Sequence, residues 1–279
     1  MKVAGLYTYP IKGVRAVSHQ SLTARTRGFA GDRRFLITDE NGRFYTQRDC
    51  PALAQITAHF DGETISLATD GTDSVAISTA VGDQRREVTV WLNSVDALDM
   101  GEKAAEWLSR ALDRSARLNF MDDVASRERT DVWNGNTIVS FADAYPVLVA
   151  TFASLDDLNN KIVANGGGAV GMERFRPNIV IDGAEPWAED KWRRLKIGDV
   201  VIELVNPCDR CVVTTKDQAK GASMGKEPLM TLATFRKSAH PDVDGVIFGW
   251  RGYFSQMGAI ENGVTVEVLE TRDGGFPFA

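Results

Sequence analysis

Asn206-Pro-Cys-Asp-Arg-Cys-Val-Val-Thr-Thr215 holds two of the chain's three cysteines, Cys208 and Cys211, set three residues apart around Asp209 and Arg210. Such a pair can serve three ends. A structural zinc site takes about four nitrogen or sulfur ligands; a second Cys-x-x-Cys is missing, which leaves only Cys50 and the dispersed His19, His59 and His240 to complete it. A thioredoxin-like dithiol sits at a helix N-terminus within a βαβ unit, whereas Val212-Val-Thr-Thr215 reads as a continuing strand. The third end is a single working thiolate, which Arg210 would favour because a neighbouring cation lowers a thiol's pKa. Against all three stands plain packing, since free cysteine is commonly buried.

Other cations recur next to strand-like sequence. Arg174-Phe-Arg-Pro-Asn178 precedes an apolar run, Gly31-Asp-Arg-Arg34 precedes another, and Tyr9-Pro-Ile-Lys12 sets a lysine after a proline turn. Guanidinium forks match phosphates and planar polar groups. Each cluster taken alone is equally a solvated surface feature.

The elements that must position these groups are mostly strands. Residues 3–9, 34–38, 43–47, 55–60, 64–68, 74–78 and 87–92 alternate or cluster apolar side chains between Gly, Asp and Ser, and Asn41-Gly42 is a strong hairpin signal. Even spacing of short strands points to a barrel or sandwich. Helical spacing covers 102–112; a second helix opens at Ser154 with Asp157 in a capping-box position, and a third spans 227–237. Residues 178–182 form a buried strand, 196–205 two strand segments turned at Gly198-Asp199, and 246–248 and 264–269 close the chain. The charged run 122–131 suggests a boundary near 118–125.

Three short motifs fail in context. Gly166-Gly-Gly-Ala-Val-Gly171 has a helix before it and a strand after it, the reverse of a dinucleotide fingerprint. Gly221-Ala-Ser-Met-Gly225 offers a hydrolase triad only Glu227 between Ser223 and His240, in the first turn of an expected helix, and reads as a turn. Asp242-Val-Asp-Gly245 reaches Tyr253, not Glu, at the twelfth position of a calcium loop.

Composition narrows the partners. The chain has 279 residues, 43% of them apolar, and a net charge of −6 with its basic residues scattered, which argues against nucleic acid. No apolar run has signal-peptide or membrane-spanning length, so a cytoplasmic protein with reduced thiols and no membrane span is expected.

Taken in order, YPIKG, GDRRF, FRPNIVIDG, AEDKWRRLKIGDV and NPCDRCVVTT resemble the MOSC proteins that carry a MOSC N-terminal β-barrel domain, the group that includes the mitochondrial amidoxime-reducing component and its bacterial relatives. The resemblance runs from Leu6 to about Leu269. It implies a mostly β fold of barrels with peripheral helices: an N-terminal β-barrel-like domain over 1–120 and a MOSC domain over 121–279. It also implies the molybdenum cofactor, a molybdopterin whose metal takes one protein thiolate, here Cys211. By the same resemblance Lys12, Arg33, Arg176, Asn178, Asp209 and Arg210 contact the pterin and its phosphate, and Cys208 is a neighbour, not a ligand. Asp209 departs from the small hydroxyl residue found in some members of that group. The implied reaction is reduction of small N-hydroxylated compounds by oxygen-atom transfer. Some bacterial members carry a ferredoxin whose cluster needs four cysteines; with three, this chain would take electrons from a separate donor of ferredoxin, flavin reductase or cytochrome type. A carrier of the cofactor or of sulfur, without turnover, is the alternative. Asp143 and Asp190 both lie in family-like segments, and nothing in the sequence assigns either to proton delivery.

Overall fold

The computed structural model describes residues 1–81, 84–129 and 137–279. It is mostly β, as expected. The largest sheet has eight strands in the order Val17–His19, Lys2–Thr8, Ile179–Asp182, Val147–Thr151, Val246–Gln256, Val200–Arg210, Trp192–Ile197 and Val266–Thr271. All its pairings are antiparallel except Val147–Thr151 with Ile179–Asp182, which run parallel. Parallel neighbours need a crossover, here supplied by the helix Phe152–Ala164.

One face of the sheet buries Leu6, Val149, Ile179, Ile202 and Trp250; the other packs Leu155, Leu158 and Ile162 of the crossover helix against Val180 and Phe248. A second apolar centre belongs to smaller sheets. Phe35–Thr38, Arg117–Phe120, Asn93–Asp99 and Arg85–Val90 form one, and Thr57–Phe60, Thr64–Thr69 and Thr72–Ser78 another. Trp107 and Leu108 of the helix Gly101–Leu112 pack into this centre with Phe35, Leu53 and Ile65. Among the described residues no helix is long and apolar enough to cross a membrane.

Several local expectations are corrected, each by a competing interaction. The Asn-Gly turn forms, with Gly42 at φ +78° and Asp39 Oδ1 accepting from the Asn41 and Arg43 N–H groups. Its return arm over 43–47 is not a strand. Arg43 and Phe44 make only isolated bridges, and Asp49 Oδ1 then takes the Thr46 N–H at 2.9 Å, turning the chain away. The second helix starts earlier than Ser154: Thr151 is its cap and accepts from the Ser154 N–H at 3.1 Å.

The third helix shrinks to Leu229–Leu232 because Arg236 is drawn into the core and its carbonyl accepts the Ile247 N–H at 3.0 Å. Val212–Thr215 is a 3-10 turn, not a strand. The hydroxyls of Thr214 and Thr215 donate to the Cys211 and Val212 carbonyls at 2.8 Å, local bonds that compete with a ladder. Conversely, the strand expected over 246–248 runs to Gln256.

Candidate functional site

A cleft of about 160 Å³ opens at the end of the two longest strands, Val200–Arg210 and Val246–Gln256. Pairing is irregular where it matters: Pro207 opposes Trp250 and Asp209 opposes Ile247, so Cys208 faces Phe248 and Gly249. Gly249 has φ +77°, and a Cβ there would sit 2.8 Å from the Val149 carbonyl oxygen. A bulge of this kind re-aims side chains at a sheet's rim.

All seven residues implied by the resemblance line this cleft: Lys12, Arg33, Arg176, Asn178, Asp209, Arg210 and Cys211. Lys12 Nζ donates to the Phe141 carbonyl at 3.0 Å and is ion-paired with Asp143. Burial pushes the Lys12 ammonium down, while the Lys12 charge, together with hydrogen bonds from Lys12 and Trp91, overrides desolvation and holds Asp143 well below the usual carboxylate range. The Asp143 side chain is 64% exposed, so the acid is reachable from the cleft.

Arg33 and Arg176 both adopt left-handed backbone, with φ +49° and +54°, and both guanidiniums lie within 4.4 Å of the Tyr9 ring centre. Non-glycine residues rarely take this conformation, and it costs about 1–3 kcal/mol. The tyrosine is tied down by its O–H to the Pro177 carbonyl at 3.0 Å and its N–H to Asp32 Oδ1 at 2.7 Å. Desolvation pushes the Tyr9 phenol up to about 12 in spite of the two arginines, so it stays protonated. Burial likewise lowers Arg176 to about 10. Asn178 is a brace: its Oδ1 accepts from Arg33 at 3.1 Å and from the Leu148 N–H at 3.2 Å, and its Nδ2 donates to the Tyr7 carbonyl at 3.1 Å.

The cysteine pair divides. In the extended segment Cys208 and Arg210 are two residues apart and share a side, and Arg210 Nη1 donates to Cys208 Sγ at 2.6 Å while Nη2 reaches the Phe175 carbonyl. Arg210 Nε is buried with no partner. Cys208 is 4% exposed; Cys211, one residue beyond the strand, is half-buried. The Nη donors of Arg210 are thus spent on Cys208 and Phe175, while the nearby Cys211 side chain holds the Arg48 guanidinium above its ordinary pKa.

Sequence reading missed Arg48, because it lies in the turn at the end of the arm read as a strand. It also missed Trp91, at φ +55°, whose indole N–H donates to Asp143 Oδ1 at 3.0 Å and whose ring stands edge-on to Phe44 at 5.1 Å. The sequence held no signal for it, since 87–92 reads as strand and only the structure places Trp91 in the turn between Arg85–Val90 and Asn93–Asp99. Asp209 accepts from Arg251 Nη2 at 2.7 Å, and Arg251 also donates to Asn206 Oδ1 at 2.8 Å.

Among the described lining residues Lys12, Arg33, Arg48, Arg174, Arg176, Arg210 and Arg251 face only Asp143 and Asp209. The surplus is positive and suits an anionic occupant. Among the described residues no three His, Cys, Asp or Glu side chains converge as a metal-binding group, and Cys50 is buried in the second apolar centre. The loop 166–171 simply follows a helix end, where Gly166 and Gly167 donate to the Val163 and Ile162 carbonyls.

Two family models match the chain: the MOSC N-terminal beta barrel domain over residues 1–115 and the MOSC domain over 136–267. Mitochondrial amidoxime-reducing component 1 of Mus musculus is 35% identical over 277 residues, covering 95% of this chain and 80% of the relative. Its Homo sapiens counterpart is 31% identical over the same coverage. Mitochondrial amidoxime reducing component 2 of Bos taurus is 29% identical over 84% of this chain and 72% of its own length.

Proposed function

Because the chain belongs to the family that joins a MOSC N-terminal beta barrel domain to a MOSC domain, we propose that it holds the molybdenum cofactor in this cleft and reduces N-hydroxylated compounds with electrons from a separate protein. The observation that carries this reading is Cys211, a half-buried thiol on the wall of a cleft with a surplus of cations. A soft thiolate suits a sulfur-bound metal. The partnerless Arg210 Nε and the Arg33 and Arg176 forks fit a phosphorylated, hydrogen-bonding cofactor.

In this reading Cys211 ligates the metal, and Lys12, Arg33, Arg176, Asn178, Asp209 and Arg210 take the pterin and phosphate. When bound, the cofactor supplies the two-electron chemistry that breaks an N–O bond. The balance is two electrons and two protons per N–O bond broken, with the oxygen leaving as water. The chain's own residues bind and orient. Asp143, held ionised by Lys12, accepts a substrate N–H instead of storing a proton, and Trp91 and Phe44 form the apolar lip beside it. All three cysteines are free thiols, in keeping with a reducing compartment, and we place the protein in the cytoplasm.

The test is molybdenum content per chain in material from a host that makes the cofactor, together with reduction of a model amidoxime by an artificial low-potential donor. Near-stoichiometric molybdenum with turnover supports the reading. Molybdenum without turnover would make the protein a carrier, and zinc in its place would overturn the assignment of Cys211.

A further inference from the structure

Two costs meet at one corner of the cleft. The first is conformational, since Arg33 and Arg176 both stand in left-handed backbone. Arg176 does so directly before Pro177, where sterics push a residue toward extended backbone, and holds φ +54° and ψ +46°. The second is electrostatic: burial and the charge of Arg33 both work against the charge on Arg176. Asp32 pairs with Arg33, and no described carboxylate lies within ion-pair distance of Arg176. Strain persists only where the surroundings over-determine it, and it gathers at ligand clamps.

Tyr9, 1% exposed, is what holds both arginines. Its ring centre lies 4.4 Å from the Arg33 guanidinium carbon and 4.2 Å from that of Arg176, within the range at which an aromatic face attracts a cation. Its carbonyl accepts the Arg33 N–H at 2.8 Å, and its hydroxyl donates to the carbonyl of Pro177, the residue after Arg176. Tyr9 and Arg33 fall in the first matched domain and Arg176 in the second, so the grouping exists only where the two meet. The protein uses part of each fork. Arg33 Nη1 donates to Asp32 and Asn178 and Nη2 to the Arg176 carbonyl, while Arg176 Nη1 donates to the Val14 carbonyl and Gln218 Oε1. Among the described residues nothing accepts from Arg33 Nε or from Arg176 Nε and Nη2.

We propose that Tyr9 is the positioning residue of a phosphate clamp: its ring holds Arg33 and Arg176 together against their repulsion, so that the spare N–H groups of both forks serve one phosphomonoester dianion. This deepens the reading above, in which that group is the cofactor's phosphate. A dianion offsets the two charges and takes fork donors in pairs. The tyrosine touches no ligand itself, because its hydroxyl is spent on Pro177 and its faces on the guanidiniums.

The probe is inorganic phosphate, titrated calorimetrically into the cofactor-free full chain at constant ionic strength. Molybdenum per chain is read on the same variants from a host that makes the cofactor. The expected result is a loss of at least about tenfold in phosphate affinity for Tyr9→Leu and for Arg176→Ala, with Tyr9→Phe, which keeps the ring, within about threefold of wild type. The double variant Tyr9→Leu/Arg176→Ala should lose less than the product of the two single losses, because Tyr9 acts through that arginine. Losses that multiply, wild-type affinity in Tyr9→Leu, an equal loss in Tyr9→Phe, or no phosphate binding by wild type each overturn the proposal. Where Tyr9→Leu does not fold, Arg176→Lys decides: it keeps the charge without the planar fork, a loss of at least about tenfold supports the clamp, and wild-type affinity overturns it. Tyr9-dependent phosphate binding with no molybdenum in any chain supports the clamp and defeats the cofactor reading. Molybdenum held by a wild type that binds no phosphate defeats the clamp alone.

Discussion

Asp143 and Asp190 are built from the same parts and end in opposite circumstances. Each carboxylate is paired with a cation, Lys12 or Arg236, and each accepts an indole N–H, from Trp91 at 3.0 Å or Trp250 at 2.9 Å. Asp190 is closed. Arg236 reaches both its oxygens at 2.5 and 2.8 Å, and that guanidinium lies 4.2 Å from the Trp187 ring centre and 3.9 Å from that of Phe278. Its side chain is 10% exposed against 64% for Asp143. A carboxylate with both oxygens answered and both partners covered holds the fold together; one with the same kinds of partner and an open side can still meet a ligand. The residue types do not separate the two cases. The covering does.

The broadest test of the cleft is Cys211→Ala, for which amidoxime reduction falls to background and bound molybdenum is lost. Retained activity and metal would remove the cleft from the comparison altogether. Next comes the direct contrast. Asp190→Asn breaks a buried pair and costs about 3–5 kcal/mol in denaturant unfolding, whereas Asp143→Asn costs less, about 2 kcal/mol, for the charged hydrogen bond that buried Lys12 loses, and lowers turnover at least about tenfold through lost substrate orientation. The reverse pattern would break the assignment of roles.

A third prediction sharpens the closed side. Glu189, beside Asp190, is fully buried; desolvation pushes it up to about 7 although Ser154 donates to it at 2.9 Å. The folded state then holds a proton that the unfolded chain releases at an ordinary glutamate pKa, so stability falls as pH rises from about 4.5 to about 7 and levels off above. Glu189→Gln should flatten that slope, removing a difference on the order of a few kcal/mol, as read from unfolding midpoints across this range; an unchanged slope assigns the effect elsewhere. The smallest effect is Thr151→Ala, about 1 kcal/mol from the lost cap, measured in the same way; a cost near zero would show that the helix is held by packing alone.

Much of this was legible because it is local. The turn at Gly198-Asp199 joins Trp192–Ile197 to Val200–Arg210 as read, with Gly198 at φ +58°, and the spacing over 102–112 gives the helix Gly101–Leu112. The seven cleft residues were legible from resemblance, not from spacing, since Lys12, Arg33 and Arg176 sit in unrelated stretches. Local reading failed at 227–237, where a long-range bond pulls Arg236 to Asp190, and at 43–47 and 212–215, where short side-chain-to-backbone bonds, from Asp49 and from two threonine hydroxyls, turn what looked like strand.

By itself the amino-acid sequence determined which thiols and cations exist, the strands that carry them and the sign of the surplus charge, because these follow from residue type and near neighbours. Tertiary structure alone decided that Arg210 serves Cys208 and that Arg48 comes near Cys211, that Asp143 is open and Asp190 shut, and that Trp91 stands at the lip. The physical reason is that hydrogen bonding and desolvation act between surfaces in contact, and chain folding, not sequence distance, chooses which surfaces meet.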